Sequence, residues 1–153
     1  DDLHIAPDEL FEKLLGYANP FALIAEPNST FSMLEQAYNT DMAQAKNAKV
    51  LDENEVLQVI ELENAPWSRR VSGVFGNALA NQSPHKAHAV LTLNADDSYL
   101  VSLRAPLENK QGAGELCVQF ETGGGRAAAA GINNLPKEKL GKFIALVSKY
   151  YQE

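Results

Sequence analysis

Residues 123–131, GGGRAAAAG, combine three consecutive glycines, one arginine and a run of small residues in a single segment. Glycine has no Cβ, so Gly123, Gly124 and Gly125 can adopt backbone conformations closed to other residues and let a ligand approach the main chain. Arg126 adds a planar fork of donors that suits phosphate or carboxylate. Two interpretations fit: an anion-binding loop whose exposed amides form a concave nest, and a flexible surface turn that ends in arginine.

Strand and helix patterns lie on both sides of this segment. Residues 87–93 and 99–103 are rich in strand-forming residues and flank a short polar loop, which predicts a β-hairpin. Ser102 and Arg104 are two positions apart, so on a strand their side chains point to the same face. Apolar residues at helical spacing predict a C-terminal helix that begins near Pro136.

The upstream part of the chain adds a strand and a further helix. Residues 56–62 form a short run rich in β-branched residues, which predicts a strand, and residues 69–81 place apolar side chains at intervals of three and four. Gly73 and Gly76 weaken that helix by about 1 kcal/mol each relative to alanine. We therefore expect them to mark a close approach to a neighbouring element. Residues 112–120 fit a strand and a helix equally well.

Charge divides the chain unevenly. The formal net charge is −7, but residues 1–66 hold 13 acidic and 3 basic side chains, whereas residues 67–153 hold 7 acidic and 10 basic ones. The acidic part begins with two predicted helices, one from Pro7 and one from residues 28–30. The basic part contains the glycine segment, which is consistent with an anionic partner there.

Composition indicates an ordinary soluble globular protein. The 153 residues are 45% hydrophobic and 22% charged, enough for one sizeable core. The single cysteine, Cys117, excludes an internal disulfide, and no apolar run is long enough to cross a membrane, so we predict a cytoplasmic protein. Because the chain begins at Asp1 without a methionine, we expect it to be a fragment of a longer protein.

The sequence offers little support for a metal site or a nucleophilic site. We expect His85 and His88 to be surface residues, because no third metal ligand lies near them, and Cys117 to be packed among apolar residues. A terminal group of Asp1, Asp2 and His4 is a poor scaffold for a metal. What remains is a set of donors suited to phosphate: Ser102, Arg104, Gly123, Gly124, Gly125 and Arg126.

The order of these features resembles the DHH-associated C-terminal domain of DHH-family phosphoesterases. The resemblance is carried by Ser102-Leu103-Arg104 at a strand end, by GGGRAAAAG before a terminal helix, and by residues 72–80, SGVFGNALA, followed by the strand at residues 89–91. It covers roughly residues 56–152. The family includes RecJ-type exonucleases and enzymes that cleave oligoribonucleotides, cyclic dinucleotides or polyphosphate.

The resemblance implies an α/β fold with a mixed β-sheet flanked by helices, and it favours a helix at residues 113–120. Residues 55–153 would form the substrate-binding domain and residues 1–54 a helical connector. A catalytic domain missing from this chain would carry the Mn or Mg ions, while this chain would hold no cofactor. The substrate would be a short single-stranded nucleic acid, a nucleotide or polyphosphate, with Arg104 and the glycine segment as its phosphate contacts.

Two departures from the family pattern keep a second interpretation open. Arg126 stands where the family usually has histidine, and Ala105-Pro106 follows the strand arginine where serine is usual. Arginine can still pair with a phosphate but cannot exchange a proton as histidine does. The alternative is therefore an interaction or regulatory module that keeps the fold but has lost ligand binding. Such a module could form a homodimer. A free-standing hydrolase does not fit a chain that lacks an Asp-His-His triplet.

Overall fold

The structure is a computed structural model, and it describes residues 2–153. The elements in chain order are α1 (Pro7–Leu15), α2 (Pro20–Ala25), α3 (Thr30–Ala45), β1 (Lys49–Glu53), β2 (Leu57–Leu62), α4 (Pro66–Gln82), β3 (Ala87–Leu93), β4 (Ser98–Arg104), α5 (Ala113–Cys117), β5 (Gly123–Gly125), β6 (Ala129–Pro136), a 3₁₀ turn (Lys137–Lys139) and α6 (Leu140–Gln152).

The strands form one six-stranded sheet in the order β1-β2-β3-β4-β6-β5. β2 and β3 are parallel and are joined through α4, whereas every other neighbouring pair is antiparallel. The predicted α/β class with a mixed, helix-flanked sheet is confirmed. The predicted hairpin is also present as β3 and β4, and residues 112–120, which the sequence left open, contain the short helix α5.

One face of the sheet is covered by α5 and α6. Phe143 and Val147 of α6 are fully buried against apolar side chains of the strands, and Phe120 meets Phe143 edge to face with ring centroids 5.8 Å apart. Cys117 lies in the same cluster, and burial raises the pKa of its thiol to about 12. The prediction that this cysteine is packed is confirmed.

The other face of the sheet is partly covered by α3 and α4. A smaller apolar cluster joins Val71, Phe75 and Leu79 of α4 to Ile60 and Val90 of the parallel strands. α4 lies mainly over β3 and β4, so the β6 and β5 end of this face carries no helix from the smaller cluster. The predicted site residues lie at that uncovered end of the sheet and on the adjoining strand β4.

The chain before the sheet contributes little to the core. α1 and α2 contain no buried residue, and Phe21 is 81% exposed. An ionic network holds the N-terminus instead: Asp41 accepts hydrogen bonds from Arg70 and contacts His4, and Arg69 pairs with Asp2. β1 pairs with β2 although it falls within the predicted helical connector, residues 1–54. The position of the domain boundary stays a prediction.

His88 corrects one sequence-based expectation, because it is only 1% exposed instead of lying on the surface. Its ring nitrogens lie 3.3 Å from Oε1 of Gln58 and 3.1 Å from the carbonyl oxygen of Ser83. β3 is a central strand with nearly all of its side chains buried on both faces, so a histidine there is buried whichever way it points. Burial lowers the pKa of this imidazole.

Candidate functional site

Arg104 ends β4, and its side chain lies against α4. Its Nε donates to Oδ1 of Asn77 at 2.7 Å, and its Nη2 donates to the carbonyl oxygen of Gly73 at 3.2 Å. Nη1 donates to Oγ of Ser102 at 3.2 Å and to the carbonyl oxygen of Leu103 at 3.4 Å. The hydrogen bond to Ser102 confirms that the two residues share a face of the strand. Four of the five guanidinium N–H groups are thus used, and one on Nη2 remains.

The two helix glycines explain how this arginine fits. A Cβ added at Gly73 would lie 3.4 Å from Nη2 of Arg104, and one added at Gly76 would lie 3.4 Å from its Cγ. The arginine stem and head therefore run directly over the glycine side of α4. The expectation that these glycines mark a close approach is confirmed, and the element that approaches is the predicted site residue itself.

Arg104 carries its positive charge without a carboxylate partner among the described residues, because all of its hydrogen-bond acceptors are neutral. Burial and the repulsion of Arg126 lower its pKa, which still leaves an arginine charged at neutral pH. It opens onto a cavity of about 370 Å³ together with Asn77, Ala80, Asn81, Ala105, Leu107, Lys110, Ala128 and Ala129. Since that lining contains two cations and no carboxylate, the cavity is suited to an anion.

The glycine segment has the structure of an edge strand followed by a tight turn, and not that of the nest, which is one of the two interpretations that its sequence allows. Gly123, Gly124 and Gly125 form the edge strand β5, which pairs with β6. Arg126 and Ala129 exchange backbone hydrogen bonds of 2.9 and 3.2 Å, so the chain turns tightly between β5 and β6. A regular strand directs its amides alternately to the two sides instead of converging them on one point. The glycine segment is therefore the edge strand of the sheet.

The three glycines are not equivalent. A Cβ at Gly123 would lie 1.8 Å from the carbonyl oxygen of Cys117, and Gly125 has a φ of +148° with Ala130 in the way of a Cβ. Packing and backbone conformation therefore require both of these glycines. At Gly124 an added Cβ would meet nothing within 4 Å. Only this middle glycine leaves open space above the backbone.

Strand pairing brings four of the six predicted residues onto one face. Arg104 pairs across the sheet with Ala129, which in turn pairs with Arg126. In the next row of cross-strand neighbours, Ser102 pairs with Gly131, which pairs with Gly124. Partners across a sheet point to the same face, and adjacent strands lie about 4.8 Å apart. Arg104 and Arg126 are thus about 10 Å apart along the row. We call Ser102, Arg104, Gly124 and Arg126 the donor patch.

The remaining predicted residues, Gly123 and Gly125, do not belong to the donor patch, and a second cavity lies near them. By strand alternation, Gly123 and Gly125 present their Cβ directions to the opposite face from the donor patch. A second cavity, of about 360 Å³, lies beside β5 and is lined by Gly114, Glu115, Val118, Gly124, Gly125 and Ala127. Gly124 lines this second cavity, and Arg104 lines the first.

Comparison with solved structures gives several matches of the same fold. A pGpG-specific phosphodiesterase, PggH, from Vibrio cholerae matches with a TM-score of 0.63 and 13% identity, over 96% of this chain and 52% of that one. An exopolyphosphatase-related protein from Bacteroides fragilis matches with a TM-score of 0.56 and 18% identity, over 97% and 40%. A structure described as a DHH domain matches with a TM-score of 0.52 and 11% identity, over 78% and 31%.

The chain has the fold of DHH-family structures. The fold that the sequence resemblance implied is confirmed by these neighbours. The chain spans about half the length of the first of them and less of the others. No family model matches the sequence, and no curated protein matches it.

Sequence reasoning missed two residues of the candidate site. Asn77 contacts Arg104 directly, and Lys110 adds the second cation of the cavity. Asn77 lies four residues after Gly73, within the helix whose glycines were noticed. Its position, on the same side of that helix and one turn on, was the available signal. Lys110 lies in the irregular segment between β4 and α5, where no periodic pattern exists to place it.

Metal binding has no support from the side chains of residues 2–153, where no three His, Cys, Asp or Glu residues group as ligands. Of the terminal group, Asp2 pairs with Arg69 and His4 with Asp41, while Asp1 lies outside the described residues. The Mn or Mg ions that the resemblance implies for a separate catalytic domain stay a prediction. None of the helices in residues 2–153 combines the length and the apolar character that crossing a bilayer requires.

Proposed function

We propose that the chain is the substrate-binding part of a DHH-type, metal-dependent phosphoesterase and holds a phosphate-containing substrate against a catalytic domain that this chain does not include. The observation that carries the proposal is the Arg104 guanidinium, which is half-buried, has no carboxylate partner among residues 2–153 and opens onto a cavity with Lys110. A half-buried charge without an ion-pair partner is unfavourable, so a phosphate oxygen would supply the opposite charge that the site lacks.

The shape of the donor patch supports the same function. Between the two arginines the sheet surface is made of small residues, Ala129 and Gly131, and Gly124 leaves open space beyond them. A flat, cationic sheet surface of this kind allows a substrate to lie along the strands while the arginines bind its phosphates. The patch offers donors but no base, so this chain would bind and orient the substrate while the catalytic domain supplies the metal and the bond cleavage.

The structural neighbours are consistent with this class of substrate. One is a pGpG-specific phosphodiesterase and another is exopolyphosphatase-related, and both extend well beyond the part that this chain matches. Short nucleic acids, nucleotides and polyphosphate share the phosphate group that the patch would bind. We therefore propose a short nucleic acid, a nucleotide or polyphosphate as the substrate, and a catalytic domain as the partner of this chain.

Calorimetry with pGpG and with pyrophosphate tests the proposal. We expect Arg104→Ala and Arg126→Ala each to weaken binding about 10- to 100-fold, because each removes charge-assisted hydrogen bonds of about 1.5–3 kcal/mol. Lys142→Ala, at an exposed position of α6, is the matched control and should bind like the wild type. Equal affinity of the wild type and both arginine variants for both probes would contradict the proposal.

One observation favours a second candidate, an interaction or regulatory module without ligand binding. Arg104 already makes four hydrogen bonds within the chain and thereby links β4 to α4, which is a sufficient structural role on its own. In that case Arg104→Ala would lower the thermal midpoint while neither probe bound to the wild type. Sedimentation would then show whether Arg126→Glu changes the oligomeric state.

A further inference from the structure

We propose that Asn77 is a positioning residue of the anion site: its amide oxygen fixes the direction of the Arg104 guanidinium, and its lack of charge keeps the arginine cationic toward the cavity. The inference rests on the proposed function, since it concerns the arginine that would bind the substrate phosphate. It assigns a role to a residue of α4 that the sequence pattern alone did not mark.

The geometry of α4 is what holds the guanidinium. The 2.7 Å hydrogen bond from Nε to Asn77 is the shortest of those that Arg104 makes, and Gly73, four residues earlier on the same helix side, accepts from Nη2 at 3.2 Å. Ser102 accepts from Nη1 on the strand side. The planar head is therefore held from two elements at once. A guanidinium with fixed orientation loses less entropy when it binds an anion than a mobile one does.

The chemistry of residue 77 matters as much as its position. Aspartate has nearly the same shape as asparagine and would accept the same Nε–H, but it would form an ion pair with Arg104. The cavity lining offers Lys110 as the one further cation and contains no carboxylate. A neutral acceptor at position 77 thus allows the arginine to be anchored without being neutralised, and this is the property that an anion site requires.

Asn81 provides a matched control one turn further along α4. It lines the same cavity, but its side-chain amide donates to the backbone oxygen of Asn77 and makes no hydrogen bond to Arg104. Asn81→Asp therefore places the same negative charge in the same cavity without touching the guanidinium. Both asparagines are exposed, so neither change should unfold the protein.

Affinity for pGpG and for pyrophosphate separates the roles. We expect Asn77→Asp to weaken binding at least tenfold and Asn81→Asp two- to threefold at most. Asn77→Ala should weaken binding about threefold to tenfold, because Arg104 keeps its charge and loses its fixed direction. The thermal midpoint of Asn77→Asp should equal or exceed that of the wild type, since the new ion pair adds to the contact between β4 and α4.

Arginine Nε–H resonances measure the positioning directly, and with four arginines in the chain they can be assigned from Arg104→Lys. We expect the Nε–H of Arg104 to exchange with water at least tenfold faster in Asn77→Ala, and at the wild-type rate in Asn81→Ala. In Asn77→Asp it should stay protected although affinity falls. That combination distinguishes loss of charge from loss of position.

The outcomes separate this inference from the proposed function. If Arg104→Ala loses binding while Asn77→Asp and Asn77→Ala bind as the wild type does, the role of Asn77 is wrong and the proposed function stands. If Asn81→Asp is as harmful as Asn77→Asp, the effect is general electrostatics and the specific role is again wrong. A wild-type chain that binds neither probe contradicts the proposed function and this inference with it.

Discussion

The two faces of β4 show how one strand serves two purposes. Tyr99, Val101 and Leu103 point under α6 and α5 and are almost wholly buried, whereas Ser102 and Arg104 point to the other face and remain partly exposed. On the first face the side chains are apolar and fill a continuous core. On the second, Ser102 and Arg104 are polar, and the neighbouring positions of β6 and β5 are alanine and glycine. Stability therefore comes mainly from one face and the candidate site from the other.

Truncation of a large side chain on the apolar face should have the largest effect on stability. Phe143 is fully buried and packs edge to face on Phe120. We expect Phe143→Ala to lower the free energy of unfolding by about 3–5 kcal/mol in urea titrations. Val118→Ala, at a position that is 64% exposed, is the control and should change it by no more than about 0.5 kcal/mol. A similar loss from Ser102→Ala would remove the distinction between the faces.

On the α4 side of the sheet, an ion pair between α3 and α4 adds to the packing of the smaller apolar cluster. Asp41 of α3 is 4% exposed and accepts two hydrogen bonds from Arg70 of α4, which lower the pKa of its carboxyl group. We expect Asp41→Asn to reduce the free energy of unfolding by about 1.5–3 kcal/mol at pH 7.

The pH dependence gives the sign of that contribution. Because the pKa of Asp41 is lower in the folded state than its ordinary value of 3.8, the stabilisation is complete above that value and is lost as the pH falls toward the folded pKa. The difference between the wild type and Asp41→Asn should therefore be constant from neutral pH to about 3.8 and shrink as the pH falls below that value. A difference that stays constant in acid would show that the carboxylate charge is not responsible.

The glycines of β5 allow the two faces of the sheet to be compared within one strand, through the effect of an added methyl group on stability. Gly123→Ala should lower the free energy of unfolding by about 1–3 kcal/mol, because its methyl group would collide with the carbonyl oxygen of Cys117. Gly124→Ala should change it by no more than about 0.5 kcal/mol, since the space there is open. In calorimetry with pGpG, Gly124→Ala should nevertheless bind more weakly if the substrate lies over this strand. Equal stability of the two variants would contradict the assigned packing.

Local patterns were sufficient for the central elements and insufficient at the edges. The β3–β4 hairpin and α4 show regular periodicity because each buries a consistent set of side chains. β1 was missed because it is an edge strand with mostly exposed, charged residues, and among residues 2–153 it pairs with β2 alone. α2 was missed for a related reason: it is six residues long and buries none of them, so no apolar stripe marks it.

The candidate site was predictable in kind but not in detail. Spacing placed Ser102 and Arg104 on one face, yet the three glycines look identical in sequence, and only their neighbours in space separate Gly124 from the two that packing requires. Asn77 was missed because its hydrogen bond joins elements 27 positions apart. His88 was predicted to lie on the surface because the residues just before it in the sequence are polar, and the sequence does not show that β3 is a central strand.

The smallest predicted effect is on the pH dependence of stability and comes from His88, whose buried imidazole is favoured in its neutral form. Burial lowers the pKa of its imidazole below the ordinary value of 6.5, although the contact with the carbonyl oxygen of Ser83 acts in the opposite direction. The unfolded chain therefore binds a proton more readily, so stability is lost as the pH falls from about 6.5 toward the folded pKa. We expect the wild type to lose slightly more stability over that interval than His88→Gln, as measured by urea titration at each pH. Identical pH profiles would mean that the buried imidazole accepts its proton without penalty, and that the two neighbouring acceptors, on Gln58 and Ser83, compensate for its burial.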